Sequence, residues 1–121
     1  MTNWRAVLLG FLAGVIAGIL AFFLPVIGHV GAGLIAGFVA GYVAGGGLGS
    51  GLWHGLLAGA LDGLVLAVLF GVLGGLLGGA VGGPVGGFLG GASVFAIATA
   101  IALVFAVDSA IGGLLGAAIS D

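Results

Sequence analysis

Few side chains in this sequence can do chemistry. Four are charged, namely Arg5, Asp62, Asp108 and Asp121, and Lys, Glu and Cys are absent. The remaining candidates are His29, His54, Ser50 and Thr99. His54 follows Ser50 by four residues, which puts both on one face of a helix. A serine beside a histidine invites a nucleophile-and-base reading. Asp62 lies eight residues further on, about 12 Å along a helix, too far to orient His54.

The stretch Leu48-Gly49-Ser50-Gly51 also lacks the G-x-S-G pattern of rhomboid-type intramembrane proteases, because position 48 is Leu. No two of His29, His54 and the aspartates have metal-ligand spacing. There is no phosphate-binding loop and no complete G-x-G-x-x-G. We therefore expect no enzyme, no catalytic residue, no metal and no cofactor. His29, close after Pro25, is expected in an interfacial turn.

Two readings of Asp62 stand side by side. It lies inside the apolar stretch from Trp53 to Leu77, and a carboxylate within a membrane segment is a candidate proton or cation site. It also lies at a junction, Asp62-Gly63, as Asp108-Ser109 does, and both pairs suit helix N-caps. Ser50, His54, Asp62, Thr99 and Asp108 are thus expected either as caps or as the lining of a polar path.

The elements that position these residues follow from composition. Of 121 residues, 63% are hydrophobic and 3% charged, and 30 are Gly. Mean hydropathy is +1.56. Soluble domains carry about 25% charged residues, so four charges cannot cover a globule in water, and the expected solvent is lipid. One Arg and no Lys leave no basic patch for nucleic acid or anionic lipid. The apolar run from Ala6 to Leu24 is longer than the core of a signal peptide, and no A-x-A site follows it. It reads as a retained span.

Pro25 and Pro84 are the only prolines, and each opens a turn containing glycine. They predict the tips of two helical hairpins, the second with Gly82–Gly87 as its tip. The hairpins look like copies. Ala6–Gly18 aligns without a gap on Ala67–Gly79, and seven of thirteen positions are identical. After a two-residue deletion Pro25 falls on Pro84, Ser50 on Ser109 and Asp62 on Asp121. This predicts a tandem repeat of residues 1–62 and 63–121.

Each repeat is expected to hold two spans and a short helix. The first has spans at about 5–24 and 31–47 and a short helix at about 50–61. The second has spans at about 63–82 and 90–107 and a short helix at about 109–120. About 17–20 residues suffice to cross at 1.5 Å per residue, and about 12 do not. The short helices are then interfacial, re-entrant, buried in protein, or extensions of the next span. The expected class is an all-α integral membrane protein with four transmembrane helices in two tandem hairpins, plus two short helices. An even number of spans returns the chain to its starting side. Arg5 favours a cytoplasmic N-terminus, so both termini are expected in the cytoplasm. Trp4 and Trp53 suit one interfacial belt.

Glycines recur every fourth residue. Gly10, Gly14 and Gly18 mark the first span, and Gly33, Gly37, Gly41 and Gly45 the second. Gly55 and Gly59 continue the pattern, as do Gly71, Gly75 and Gly79. Such ridges carry almost no side chain, so backbones can approach closely, the glycine-zipper mode of packing in lipid. The ridges can join helices of one chain, or copies in a homo-oligomer.

The stretches LPVIGH, GLIAGFVAGYVAGGGLGSGLWHGLLAGAL and FAVDSAIGG resemble a family of small, glycine-rich membrane proteins of halophilic archaea, a domain family of unknown function. The resemblance spans nearly the whole chain and implies no activity and no site residues. The expected function is that of a self-associating structural membrane protein that packs through small-residue ridges and organises the bilayer. Its partners are then copies of itself and membrane lipid. The alternative is a small channel or carrier with Asp62 and His54 near its path.

Overall fold

In a computed structural model, which describes residues 1–23 and 27–120, every regular element is helical. Three helices follow in order: α1 (Trp4–Ala21), α2 (Ile27–Ala44) and α3 (Leu48–Ile119). The turn predicted at Pro25 lies outside the described residues, as does Asp121. Glycine weakens a helix in water by about 1 kcal/mol relative to alanine. Helices nonetheless persist here, with backbone N–H and C=O groups paired along each helix.

Between α2 and α3 the chain turns through Gly45, Gly46 and Gly47, all at positive φ (60°, 77° and 92°), a conformation open to glycine at little cost. A single interruption divides α3. Gly83 has φ 64° and ψ −155°, and Pro84 follows. Proline lacks an N–H and suits the first turn of a new helix, so residues 84–119 form a second arm after residues 48–82. The break falls inside the stretch expected as the second hairpin tip.

Segments 50–61 and 109–119 are continuations of longer helices, one of the alternatives expected for the short helices. Both belong to α3 and run on into its arms. Neither Asp62-Gly63 nor Asp108-Ser109 has the backbone geometry of a break, since Gly83 alone within α3 departs from helical φ and ψ. The apolar run on either side lacks proline, and nothing at those junctions competes with the helical hydrogen bonds.

Two compact units emerge. The first comprises residues 1–62 and 104–121, the second residues 63–103. In the first, α1 and α2 pack against each other. Residues 48–62 lie alongside α1, with Ala58 facing Gly10 and Asp62 facing Gly14. Residues 104–119 lie alongside α2, with Phe105 facing Gly33 and Gly113 facing Gly41. They also lie against residues 48–62, through Gly51–Gly113, Gly55–Ser109 and Gly59–Ala106. The result is four helical segments around a core of small residues: Ala6, Val7, Ala36, Ala40, Ala58, Ala106 and Ala110 are buried.

The second unit is a helical hairpin. Gly63 meets Ala102, Gly71 meets Phe95, Gly74 meets Gly90, and Gly78 meets Gly86, so its two arms run antiparallel. Its large side chains point outward. Leu76, Leu77, Val81, Val85 and Phe88 are all more than two-thirds exposed.

Candidate functional site

The polar residues of the first unit form two groups. The first gathers at the start of α1 and of α3. Asn3 caps α1 by accepting the Ala6 N–H at its Oδ1, 3.3 Å away. The Asn3 backbone N–H donates to Nε2 of His54 at 2.8 Å. Because Nε2 accepts, the ring proton sits on Nδ1, which donates to the Ser50 carbonyl at 2.7 Å. The Ser50 hydroxyl is 3.2 Å from the same nitrogen. A second tie runs beside the first, from the Trp53 indole N–H to the Thr2 hydroxyl at 3.1 Å.

This geometry bears on the serine–histidine pair. A general base must take the serine proton at a free lone pair. Here Nδ1 carries a proton and Nε2 is occupied by a backbone donor, so the ring has nothing with which to activate Ser50. His54 is 3% exposed and both its nitrogens are used. Its role in this arrangement is to hold the N-terminal residues on α3.

The other polar residues of the unit, Asp62, Asp108 and Ser109, lie further along α3. Asp62 sits within α3, away from both ends of that helix, and is half-buried. The cap reading needs a helix start, which position 62 does not provide. Its carboxylate fills the space beside Gly14, where Ala36 also stands. Asp108 is likewise inside α3 and half-buried, its Cβ next to the place a Cβ on Gly33 would take, at 3.6 Å. Ser109 is fully buried and donates to the Gly55 carbonyl at 2.7 Å, joining two segments through a backbone oxygen.

Thr99 belongs to the second unit, where its hydroxyl donates to the Phe95 carbonyl one turn back at 2.8 Å. His29 lies in α2. Among the described residues no group of three or more His, Cys, Asp or Glu could hold a metal ion. Ser50 and His54 are thus together, while Asp62 stands apart from them beside Gly14.

Most of the glycines singled out above face another segment of their own unit. A Cβ on Gly10 would stand 2.6 Å from the Ala36 carbonyl oxygen and from the Ala40 Cβ. One on Gly37 would fall on the Ser109 carbonyl oxygen, one on Gly41 on that of Gly113, and one on Gly55 on that of Ser109. A Cβ on Gly59 would press the Ser109 Cβ at 2.5 Å. Gly71 closely approaches Phe95, while Gly75 and Gly79 keep ordinary contact with Gly87. Gly45 serves the loop, and among the described residues nothing stands within 4 Å of a Cβ on Gly18.

Sequence reasoning did not single out Ser109, Asn3, Thr2 or Trp53 as members of a polar network. For Ser109 a signal existed: Ser109, Gly113 and Ala117 are small residues at spacing four, continuing the ridge logic into the last segment. For Asn3 the signal was its type directly before an apolar helix, a common cap.

A family model described as "Family of unknown function (DUF5518)" matches residues 4–119, and the chain belongs to that family. No curated protein and no solved structure matches the chain.

Proposed function

We propose, from a family membership that assigns no activity, that the chain is a multi-pass membrane protein with a structural role, which associates with copies of itself and organises the surrounding bilayer. One observation carries this reading. Both units put backbone and small residues inside and large apolar side chains outside, the reverse of what a water-soluble core needs. Such packing costs little in lipid, where no hydrophobic force acts between helices and close backbone contact supplies the attraction. α1 and α3 are long and apolar enough to cross a membrane, and a shorter apolar helix covers Val30–Ala44. At 18 residues α1 reaches about 27 Å, and each 20-residue arm of the second unit about 30 Å, close to the hydrocarbon thickness.

In this reading glycine zippers weld the helical segments within each unit. The thermodynamic purpose of the ridges is then internal, and the outward Leu, Ile, Val and Phe faces meet lipid and other copies. In this reading Arg5 favours the cytoplasmic side of the cell membrane for the termini. The archaeal, halophilic setting follows from the resemblance in sequence.

A second reading is a small channel or carrier, favoured by the half-buried Asp62 inside the first unit. Proton and sodium flux in sealed liposomes distinguishes the two. A structural protein gives little flux, equal in wild type and Asp62→Asn. Sizeable wild-type flux that collapses in Asp62→Asn overturns the structural reading, because neutralising a path-lining carboxylate removes the charge that attracts the cation.

A further inference from the structure

We propose that His54 makes the N-terminal segment an acid-sensitive latch, held on α3 while the imidazole is neutral and released when the ring takes up a proton at Nε2.

The latch has two ties, Asn3 N–H to His54 Nε2 at 2.8 Å and Trp53 indole N–H to Thr2 Oγ1 at 3.1 Å. Only the first depends on protonation. A backbone N–H can donate to Nε2 only while that nitrogen keeps its lone pair. The other ring nitrogen already holds a proton and spends it on the Ser50 carbonyl at 2.7 Å. A second proton therefore has one place to go, the atom that Asn3 occupies. Two N–H groups would then point at each other inside a site where His54 is 3% exposed. The arrangement relieves this by letting residues 1–3 swing away and water reach the ring. A hydroxyl or amide in place of the imidazole would hold Asn3 at every pH, so the acid response is a property of this residue type.

The surroundings do not offer the cation a counter-charge. On the N-terminal side the charged side chain is Arg5, which is positive and no counter-charge for a cationic ring. Residues 109–117, the stretch that faces 51–59 from the second arm, contain no titratable side chain, and Asp108 precedes them. On α3 itself the nearest acid is Asp62, eight residues on and about 12 Å along the helix. In α2 the titratable groups are His29, near its start, and Tyr42. Asp121 lies outside the described residues.

Release has a reach beyond one hydrogen bond. Asn3 also caps α1 through its Oδ1, so its displacement frees the Ala6 N–H as well. The first turn of α1 and the indole of Trp53 both change surroundings in one event.

The test uses the full chain in detergent or nanodiscs over about pH 4.5 to 8. Two signals are read: amide exchange of Asn3, corrected for the intrinsic pH dependence of exchange, and Trp53 emission in a Trp4→Phe background. On acidification the Asn3 protection factor is expected to fall about fivefold or more, the loss of one ordinary hydrogen bond. Trp53 emission is expected to shift along a one-proton curve, and His54→Gln, which keeps an acceptor but does not titrate, is expected to stay flat. Unchanged Asn3 protection in the wild type, or the same emission step in His54→Gln, overturns the latch. Should His54→Gln fail to fold, the wild-type protection factor decides alone, a fall supporting the latch and constancy refuting it. None of these signals depends on whether the protein self-associates or conducts.

Discussion

The carboxylate of Asp62 occupies the place that a Cβ on Gly14 would take. The two residues lie on different helices, α1 and α3, and the missing side chain of one makes room for the charge of the other. Ala36 approaches the same point from α2, at 2.8 Å from the hypothetical Cβ. Gly14 is thus the position at which three segments and a carboxylate converge.

Gly14→Ala should destabilise the protein by roughly 1–3 kcal/mol, the usual cost of overpacking a filled site. Gly18→Ala, one turn further along the same ridge, meets none of the described residues within 4 Å and should be neutral or slightly stabilising, since alanine is the better helix former by about 1 kcal/mol. The comparison is made by thermal or denaturant melts in detergent. Adding Asp62→Ala to Gly14→Ala should recover part of the loss, because the displaced carboxylate is gone. Additive effects in that double-mutant cycle would mean that the two positions do not touch.

Ser109 gives a prediction in which magnitude decides between two effects. Its hydroxyl bonds the Gly55 carbonyl at 2.7 Å, yet hydrogen bonds between membrane helices average only about 0.6 kcal/mol. Ser109→Ala should therefore cost under about 1 kcal/mol. Ser109→Leu should abolish the folded state, because Gly37, Gly55 and Gly59 all pack against residue 109 at backbone distance. Equal losses in the two variants, read from melting temperature and yield, would make the hydrogen bond rather than the space the important feature.

Much of this was legible in the residues. The apolar composition gives the all-helical class, and Gly82-Gly83-Pro84 marks the place where α3 turns, because proline cannot continue the preceding helix. That α3 continues as a helix through Asp62-Gly63 was not legible. Aspartate before glycine is ordinary punctuation, but here the helical hydrogen bonds prevail and the segment runs on. The ridges were plain from their spacing of four, while the choice of which ridge meets which depends on three-dimensional register. Spacing cannot tell Gly14, which faces Asp62, from Gly18, which meets none of the described residues within 4 Å. The Ser50–His54 pair was visible too, but its chemistry was not. The tautomer is set by the Asn3 N–H, a backbone group with no mark in the side-chain pattern.

Gly83→Ala tests the turn. At φ 64° and ψ −155° this position lies in a region that is essentially restricted to glycine. The substitution should cost about 1–3 kcal/mol although nothing stands within 4 Å of the added methyl group. A loss seen at Gly83 but absent in Gly82→Ala, which also faces open space, would assign the cost to backbone conformation. Matching melts for the two variants would show that the turn tolerates another geometry.

The central claim is that the chain is a self-associating membrane protein, and the mass of the intact assembly tests it most directly. Native mass measurement of the protein extracted with its lipid in mild detergent should return one discrete multiple of the 11.4 kDa chain, stable on dilution. A mass of 11.4 kDa at every concentration, with α-helical content intact, would contradict the account.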